Sequence, residues 1–264
     1  MTELTDTHTH LYLTEFNGNH SLMLHEAAAL GVHRFVLPNI DANSVEATLA
    51  LRADFPEKMR ALMGLHPCSV TKDYKKDLEY IRGFVDAPGV TGIGEIGLDF
   101  YWDKTFIPEQ EDAFRIQLRW AMEKGWPVSI HSRESTDRAI EIVTETKAAA
   151  HSLSSTFTPV FHCFTGTPEQ AKKIIELGGF LGIGGVVTFK NAGLDKVLSQ
   201  LPVEHLLLET DAPYLAPVPH RGKQNVPSYL RLVAEKVAEI KGTTLEEISV
   251  ITEKNASRLF GFSE

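Results

Sequence analysis

The chain opens MTELTDTHTH (1–10), with Asp6, His8 and His10 at alternate positions. Residues i and i+2 of an extended strand point to the same side, so His8 and His10 can converge on one point, and LTDTH (4–8) reads as a strand leading into them. Chance also supplies a histidine pair near a chain end, because the protein has 11 histidines among 264 residues. The strands that follow decide between the two.

Seven more short apolar runs read as strands: HRFVLP (33–38), RALMGLH (60–66), VTGIGE (90–95), PVSIH (127–131), TPVFH (158–162), GFLGIGG (179–185) and HLLLETD (205–211). They are rich in Val, Ile, Leu and Phe with Gly or Pro close by, as buried strands of a parallel sheet are. Helical patterns alternate with them, around 19–30, 42–54, 75–86, 108–124, 135–147, 167–177, 192–199 and 226–241. Asp41 and Ser44 mark one helix start, and Thr167-Pro168-Glu169 marks another. A last helix, 244–259, follows Gly242. Eight strand–helix units predict an α/β fold, a single-domain (β/α)8 barrel over residues 1–264 with an extra C-terminal helix. Six of the eight predicted strands end in polar residues, at His8 with His10, His66, Glu95, His131, His162 and Asp211. Any one of these reads equally well as a loop-facing polar residue. Together they mark the C-terminal face of the barrel, where this fold places its active site.

Bulk composition narrows the function classes. A chain of 264 residues matches one α/β barrel, and 43% hydrophobic with 23% charged residues is ordinary for a globular protein. No apolar run reaches the roughly 20 residues of a membrane helix. Glu3 and Asp6 stand where a cleavable signal carries positive charge. Cys68 and Cys163, the two cysteines, read as reduced thiols, which predicts a cytoplasmic protein. A net charge of −9 argues against wholesale coating of nucleic acid, though not against a local basic patch.

Four imidazoles (His8, His10, His131, His162) and two carboxylates (Glu95, Asp211) exceed what one tetrahedral ion uses. They suit two divalent ions about 3.5–4 Å apart, bridged by a carboxylate. Glu95 is the natural bridge, because a carboxylate has two oxygens to share. Nitrogen and oxygen donors without thiolate favour Zn or Mn over a pure Mg site. Asp211 can both ligate and accept a proton from the attacking water, with the neighbouring Glu209 as the fallback base. Hydrolysis is the reaction class this donor set favours.

The chain also resembles the TatD-type metal-dependent deoxyribonucleases of the metallo-dependent hydrolase superfamily. The resemblance rests on DTHTHL (6–11), GLHP (64–67), GEIGLD (94–99), PVSIHSR (127–133), HCFTG (162–166), GIGG (182–185), LLLETDAPYLAP (206–217) and RGKQN (221–225). It implies a (β/α)8 barrel, a divalent-metal centre, and His8, His10, Glu95, His131, His162 and Asp211 as ligands. Related amidohydrolases bridge their metals through a carbamylated lysine, and Glu95 in that place shifts weight to the nuclease branch. Four positions depart from the pattern. Cys68 replaces a second His common after GLHP, Thr165 stands for a frequent Ser, and Gln224 and Val226 replace Arg and Glu in the RGKRNEP of many relatives.

A phosphodiester needs cations for its non-bridging oxygens, and Arg133, Arg221 and Lys223 can supply them, although solvation alone also accounts for a loop Arg or Lys. Phe100, Tyr101, Trp102 and Tyr214 can stack on bases or pack the barrel rim. His66 either contacts substrate or bonds a neighbour. The leading expectation, as the resemblance implies, is a metal-dependent deoxyribonuclease acting on single-stranded DNA or frayed 3′ ends; Asp211 and Glu95 are expected to be catalytic and His66, Arg133 and Arg221 to bind substrate. The alternatives are a small-molecule amidohydrolase or esterase, or a D-aminoacyl-tRNA deacylase, on the same dinuclear centre. A non-catalytic metal-stabilised module is more remote, since no ligand position is missing.

Overall fold

All eight expected strands form. In the computed structural model, which describes residues 2–102, 104–150 and 156–262, they are β1 (Leu4–Asp6), β2 (Val32–Pro38), β3 (Met59–Met63), β4 (Val90–Asp99), β5 (Pro127–Arg133), β6 (Thr158–Phe161), β7 (Phe180–Ile183) and β8 (Leu206–Leu208). They make one parallel sheet in the order β1 to β8. Thr7 N–H donates to the Leu208 carbonyl at 3.0 Å across the β8–β1 seam, which closes the barrel. Buried Asp6 ties the same seam, accepting the Thr210 N–H at 2.9 Å and the Thr210 hydroxyl at 2.5 Å.

Helices follow every strand: α1 (His20–Ala29), α2 (Val45–Asp54), α3 (Tyr74–Arg82), α4 (Ile107–Lys124), α5 (Thr136–Ala150), α6 (Pro168–Glu176), α7 (Leu194–Leu198), α8 (Leu230–Lys241) and α9 (Leu245–Phe260). The start signal at Thr167 is a full capping box with Gln170. At the other start, the Asp41 side chain accepts the Ser44 N–H at 2.8 Å. Among the described residues no helix is long and apolar enough to cross a membrane.

Several strands stop earlier than their apolar runs. β1 ends at Asp6, β3 at Met63, β7 at Ile183 and β8 at Leu208, so His8, His10, His66 and Asp211 stand just past the ladder. There the chain flares and bonds across less regularly, as Asp211 N–H does to the His8 carbonyl at 2.9 Å. β4 does the opposite. It runs four residues past Glu95, because β5 keeps pairing with it through Gly97↔His131 and Asp99↔Arg133. Gly97 makes that pairing close: its φ is +136°, and a Cβ there would lie 2.1 Å from the His131 carbonyl oxygen.

The extra helix α9 closes the N-terminal end of the barrel. Glu3 N–H donates to Ser249 Oγ at 3.1 Å and Asn255 Nδ2 to the Leu206 carbonyl at 3.0 Å. Phe260 and Phe262 pack with Val36, Leu62, Val160, Phe180 and Leu207, one residue from each of five strands. The hydrophobic effect therefore seals one end and leaves the other for chemistry.

Candidate metal centre

At the C-terminal end, five imidazoles surround one buried carboxylate. The Glu95 backbone is set by its N–H bond to the Asn39 carbonyl at 2.9 Å. Its two oxygens face different partners. Oε2 lies 3.2 Å from His8 Nε2 and 3.5 Å from His10 Nε2. Oε1 lies 2.8 Å from His162 Nε2, 3.2 Å from His131 Nδ1 and 3.2 Å from His66 Nε2. Asp211 adds Oδ1 at 3.3 Å from His10 Nε2 and 3.9 Å from His8 Nε2. Among the described residues, three sets of ligand atoms fall within 4.8 Å of one another: His8, His10 and Asp211; His8, Glu95 and His162; and His66, Glu95 and His131.

Hydrogen bonds behind the rings show which nitrogens are free to bind an ion. Tyr12 donates its hydroxyl to the Pro38 carbonyl at 2.7 Å, so at 2.9 Å it accepts from His10 Nδ1–H. The neutral His10 ring then points a lone pair from Nε2 at two carboxylate oxygens, a contact that needs a cation between them. His131 is held the same way: its Nε2–H donates to Asp99 Oδ2 at 2.8 Å, leaving the Nδ1 lone pair toward Glu95 and, at 3.5 Å, His162 Nε2. His8 Nδ1 meets Ser129 Oγ at 3.0 Å. Spacings of this size fit shared coordination, since bonds of about 2.0–2.1 Å put tetrahedral ligand atoms roughly 3.3 Å apart. The donor set fits divalent ions.

His66 differs. Its Nδ1 accepts the Cys68 N–H at 3.0 Å, so in the neutral ring Nε2 carries the proton, 3.2 Å from Glu95 Oε1. In that tautomer Nε2 offers a proton where His10 and His131 offer a lone pair.

Charge follows the same geometry. Burial alone would raise the Glu95 carboxyl, but His162, His66 and His8 outweigh it and hold the group well below the usual carboxylate range. Burial presses His162 toward neutrality, yet Glu95 and Glu209 push it well above an ordinary imidazole. Burial, reinforced by His162, drives His8 down. Against burial, His131 and the Trp102 and Tyr101 N–H groups hold Asp99 below its ordinary value. A cluster with this much negative charge and this many aimed nitrogens exchanges protons for metal.

The supporting groups Tyr12, Ser129, Asp99 and Glu209 were not assigned these roles from sequence. Glu209, the fallback base, is fully buried. It accepts the Cys163 N–H at 2.5 Å and lies 3.6 Å from His162 Nδ1, behind the ring. Gly182 makes room for it, since a Cβ there would sit 2.1 Å from Glu209 Oε2. The visible signals were Asp99 closing GEIGLD and Tyr12 two residues after His10.

Above the cluster opens a cavity of about 670 Å³, lined among others by His10, His66, His131, Arg133, Asp211 and Tyr214. The Arg133 guanidinium lies 3.9 Å from the Tyr101 ring centre, and no ion pair involves it among the described residues. Arg221 does not line this cavity; its guanidinium lies 4.5 Å over Phe189. Lys223 is exposed in the same loop. Cys68, where many relatives carry a second His, also lines the cavity, its thiol pushed up to about 12 by burial and by Asp99.

A family model described as TatD related DNase matches residues 5–261. The uncharacterized metal-dependent hydrolase YabD of Bacillus subtilis is 37% identical over 258 residues, which cover 97% of this chain and 98% of YabD. The uncharacterized metal-dependent hydrolase YcfH of Escherichia coli K12 is 35% identical over 263 residues, 97% of this chain and 95% of YcfH. The crystal structure of YjjV, a TatD homolog from Escherichia coli K12, is similar with a TM-score of 0.90 at 29% identity, covering 98% of each chain.

Proposed function

The chain belongs to the family of TatD-related DNases, and on that premise we propose that it is a metal-dependent hydrolase cleaving DNA phosphodiesters, as a 3′–5′ exonuclease. The observation that carries this reading is the division of Glu95, one oxygen toward His8 and His10 and the other toward His131 and His162. One carboxylate so placed would serve two ions. His8, His10 and Asp211 would hold the first, His131 and His162 the second, and nitrogen–oxygen donors suit Zn or Mn. Two such ions would supply Lewis acidity, making a water more acidic and offsetting the charge that builds in an in-line displacement.

The remaining work falls to the protein. Asp211 sits at φ +58°, a conformation Asp tolerates better than most residues. Despite burial, the imidazoles around it hold its carboxyl below the ordinary range, so it is ionised and ready to accept. One oxygen faces His10, and the other takes the proton of the attacking water. Arg133, on the cavity wall, holds a non-bridging phosphate oxygen. His66 donates its Nε2–H to the same group when Glu95 is engaged elsewhere. Arg221 and Lys223 lie farther out, where they meet the continuing strand.

The test is direct. Protein stripped by a chelator and reloaded with Mn or Zn is offered single-stranded DNA, a dipeptide, a lactone and D-aminoacyl-tRNA. Loss of nucleotides from the 3′ end, only after reloading, is the expected result. Hydrolysis of the dipeptide, lactone or tRNA ester with DNA left intact would replace this reading with an amidohydrolase or deacylase.

A further inference from the structure

Large apolar side chains left in water are a standing cost unless a ligand covers them. Nine are well exposed among the described residues, and five of these fall in the two loops after β4 and β8: Tyr101, Trp102, Tyr214, Leu215 and Val218. Packing of the barrel rim does not account for them. Phe100, next in the chain to Tyr101, does pack against the core, whereas Trp102 is 68% exposed and Tyr214 51%.

Topology places the two loops opposite each other, because β4 and β8 are four strands apart in an eight-stranded barrel. Trp102 and Tyr214 both line the cavity. Tyr214 stands beside the His10 ring, with centres 6.1 Å apart. Trp102 stands on the His131 side, where its N–H and that of Tyr101 each donate to Asp99 Oδ1 at 2.9 Å. The same Asp99 carboxylate holds His131 through Oδ2. The loop is therefore pinned to a candidate ligand while its rings remain uncovered. Arg133 completes this lip, with its guanidinium against Tyr101 and 5.1 Å from the Trp102 ring centre. Cation and aromatic faces together match a phosphate with a base beside it.

We propose that Trp102 and Tyr214 are two nucleobase-stacking platforms, one on each lip of the candidate metal centre, receiving the bases on either side of the scissile phosphate. The proposal rests on the nuclease reading and adds the residues that would grip the bases. Every base has a stacking face, so such platforms bind without choosing sequence.

Two single-stranded oligonucleotides test it, one with ordinary bases and one with abasic sites flanking the scissile phosphate. Stacking on one aromatic ring is worth about 5- to 150-fold in binding. In the metal-loaded wild type the ordinary strand should show a KM at least about tenfold lower than the abasic strand. Trp102→Ala and Tyr214→Ala should each reduce that ratio several-fold, and Trp102→Phe should restore most of it. A second readout needs no turnover. Added to metal-free protein, the ordinary strand should quench the fluorescence of exposed Trp102 more than the abasic strand does, with Trp102→Phe as the blank. A ratio that both alanine variants leave intact, or equal quenching by the two strands, overturns the platforms while DNA cleavage stands. A wild type that cleaves no DNA overturns the nuclease reading and the platforms together.

Discussion

The two ends of the barrel are built from the same eight strands and solve opposite problems. At the N-terminal end, Phe260 and Phe262 meet apolar side chains from five strands, and α9 covers them. At the C-terminal end, five imidazoles crowd one carboxylate, and the His10 and His131 rings point lone pairs at oxygen. The first arrangement is complete in itself. The second is repulsive until a cation or protons enter it. Stability and chemistry are thus assigned to separate ends, and substitutions should separate accordingly.

Glu95→Ala is the strongest way to break the comparison. It removes the group that both sets of imidazoles share, so metal content should fall at both positions and activity should drop below detection. Metal analysis with a DNA cleavage assay checks this, and retention of one full equivalent would show that Glu95 is no bridge. Phe260→Ala at the opposite end should do the reverse. Emptying a fully packed aromatic site costs about 3–5 kcal/mol of stability, read as a lowered denaturation midpoint. KM and metal content measured below that midpoint should stay near wild type. If they shift with it, the two ends are coupled and the comparison fails.

How much of this division was legible differs residue by residue. His8, His10, Glu95, His131, His162 and Asp211 were visible because parallel strands put their ends on one face, so a polar residue closing an apolar run carries positional information. The boundaries were less legible. Apolar content shows where a strand is buried, but the ladder stops where a neighbour stops, and only pairing with β5 reveals that β4 reaches Asp99. The groups behind the rings were hidden for a related reason. Tyr12 and Ser129 are uncharged and ordinary in sequence, and their meaning comes from a hydroxyl meeting a ring nitrogen. Arg133 and Arg221 looked alike as loop cations, and only the fold puts Arg133 on the cavity wall.

Asp99 sharpens the comparison, because its carboxylate belongs to neither a core nor the Glu95 cluster. Asp99→Asn keeps the shape but loses the charge that fixes the His131 proton on Nε2. Metal affinity should weaken by about 10- to 100-fold, the usual effect of removing such a partner. Titration of the apo-protein with Zn measures it, and wild-type affinity would make the Asp99–His131 bond incidental.

Arg133 has two roles that can be separated by chemistry. As a phosphate partner it supplies a charge-assisted hydrogen bond, worth about 1.5–3 kcal/mol. As the cation on the Tyr101 face it supports the aromatic lip. Arg133→Ala removes both, and KM for single-stranded DNA should rise by about tenfold or more. The dependence of binding on salt should also weaken by about one phosphate contact. Arg133→Lys retains the charge but not the flat guanidinium, so it should keep the wild-type salt slope while restoring only part of the KM. A small activated ester carries neither phosphate nor base, and its hydrolysis should suffer much less than that of DNA. Equal losses on both substrates would mean that Arg133 holds the barrel rim together, making the basic lip part of the scaffold and not part of the site.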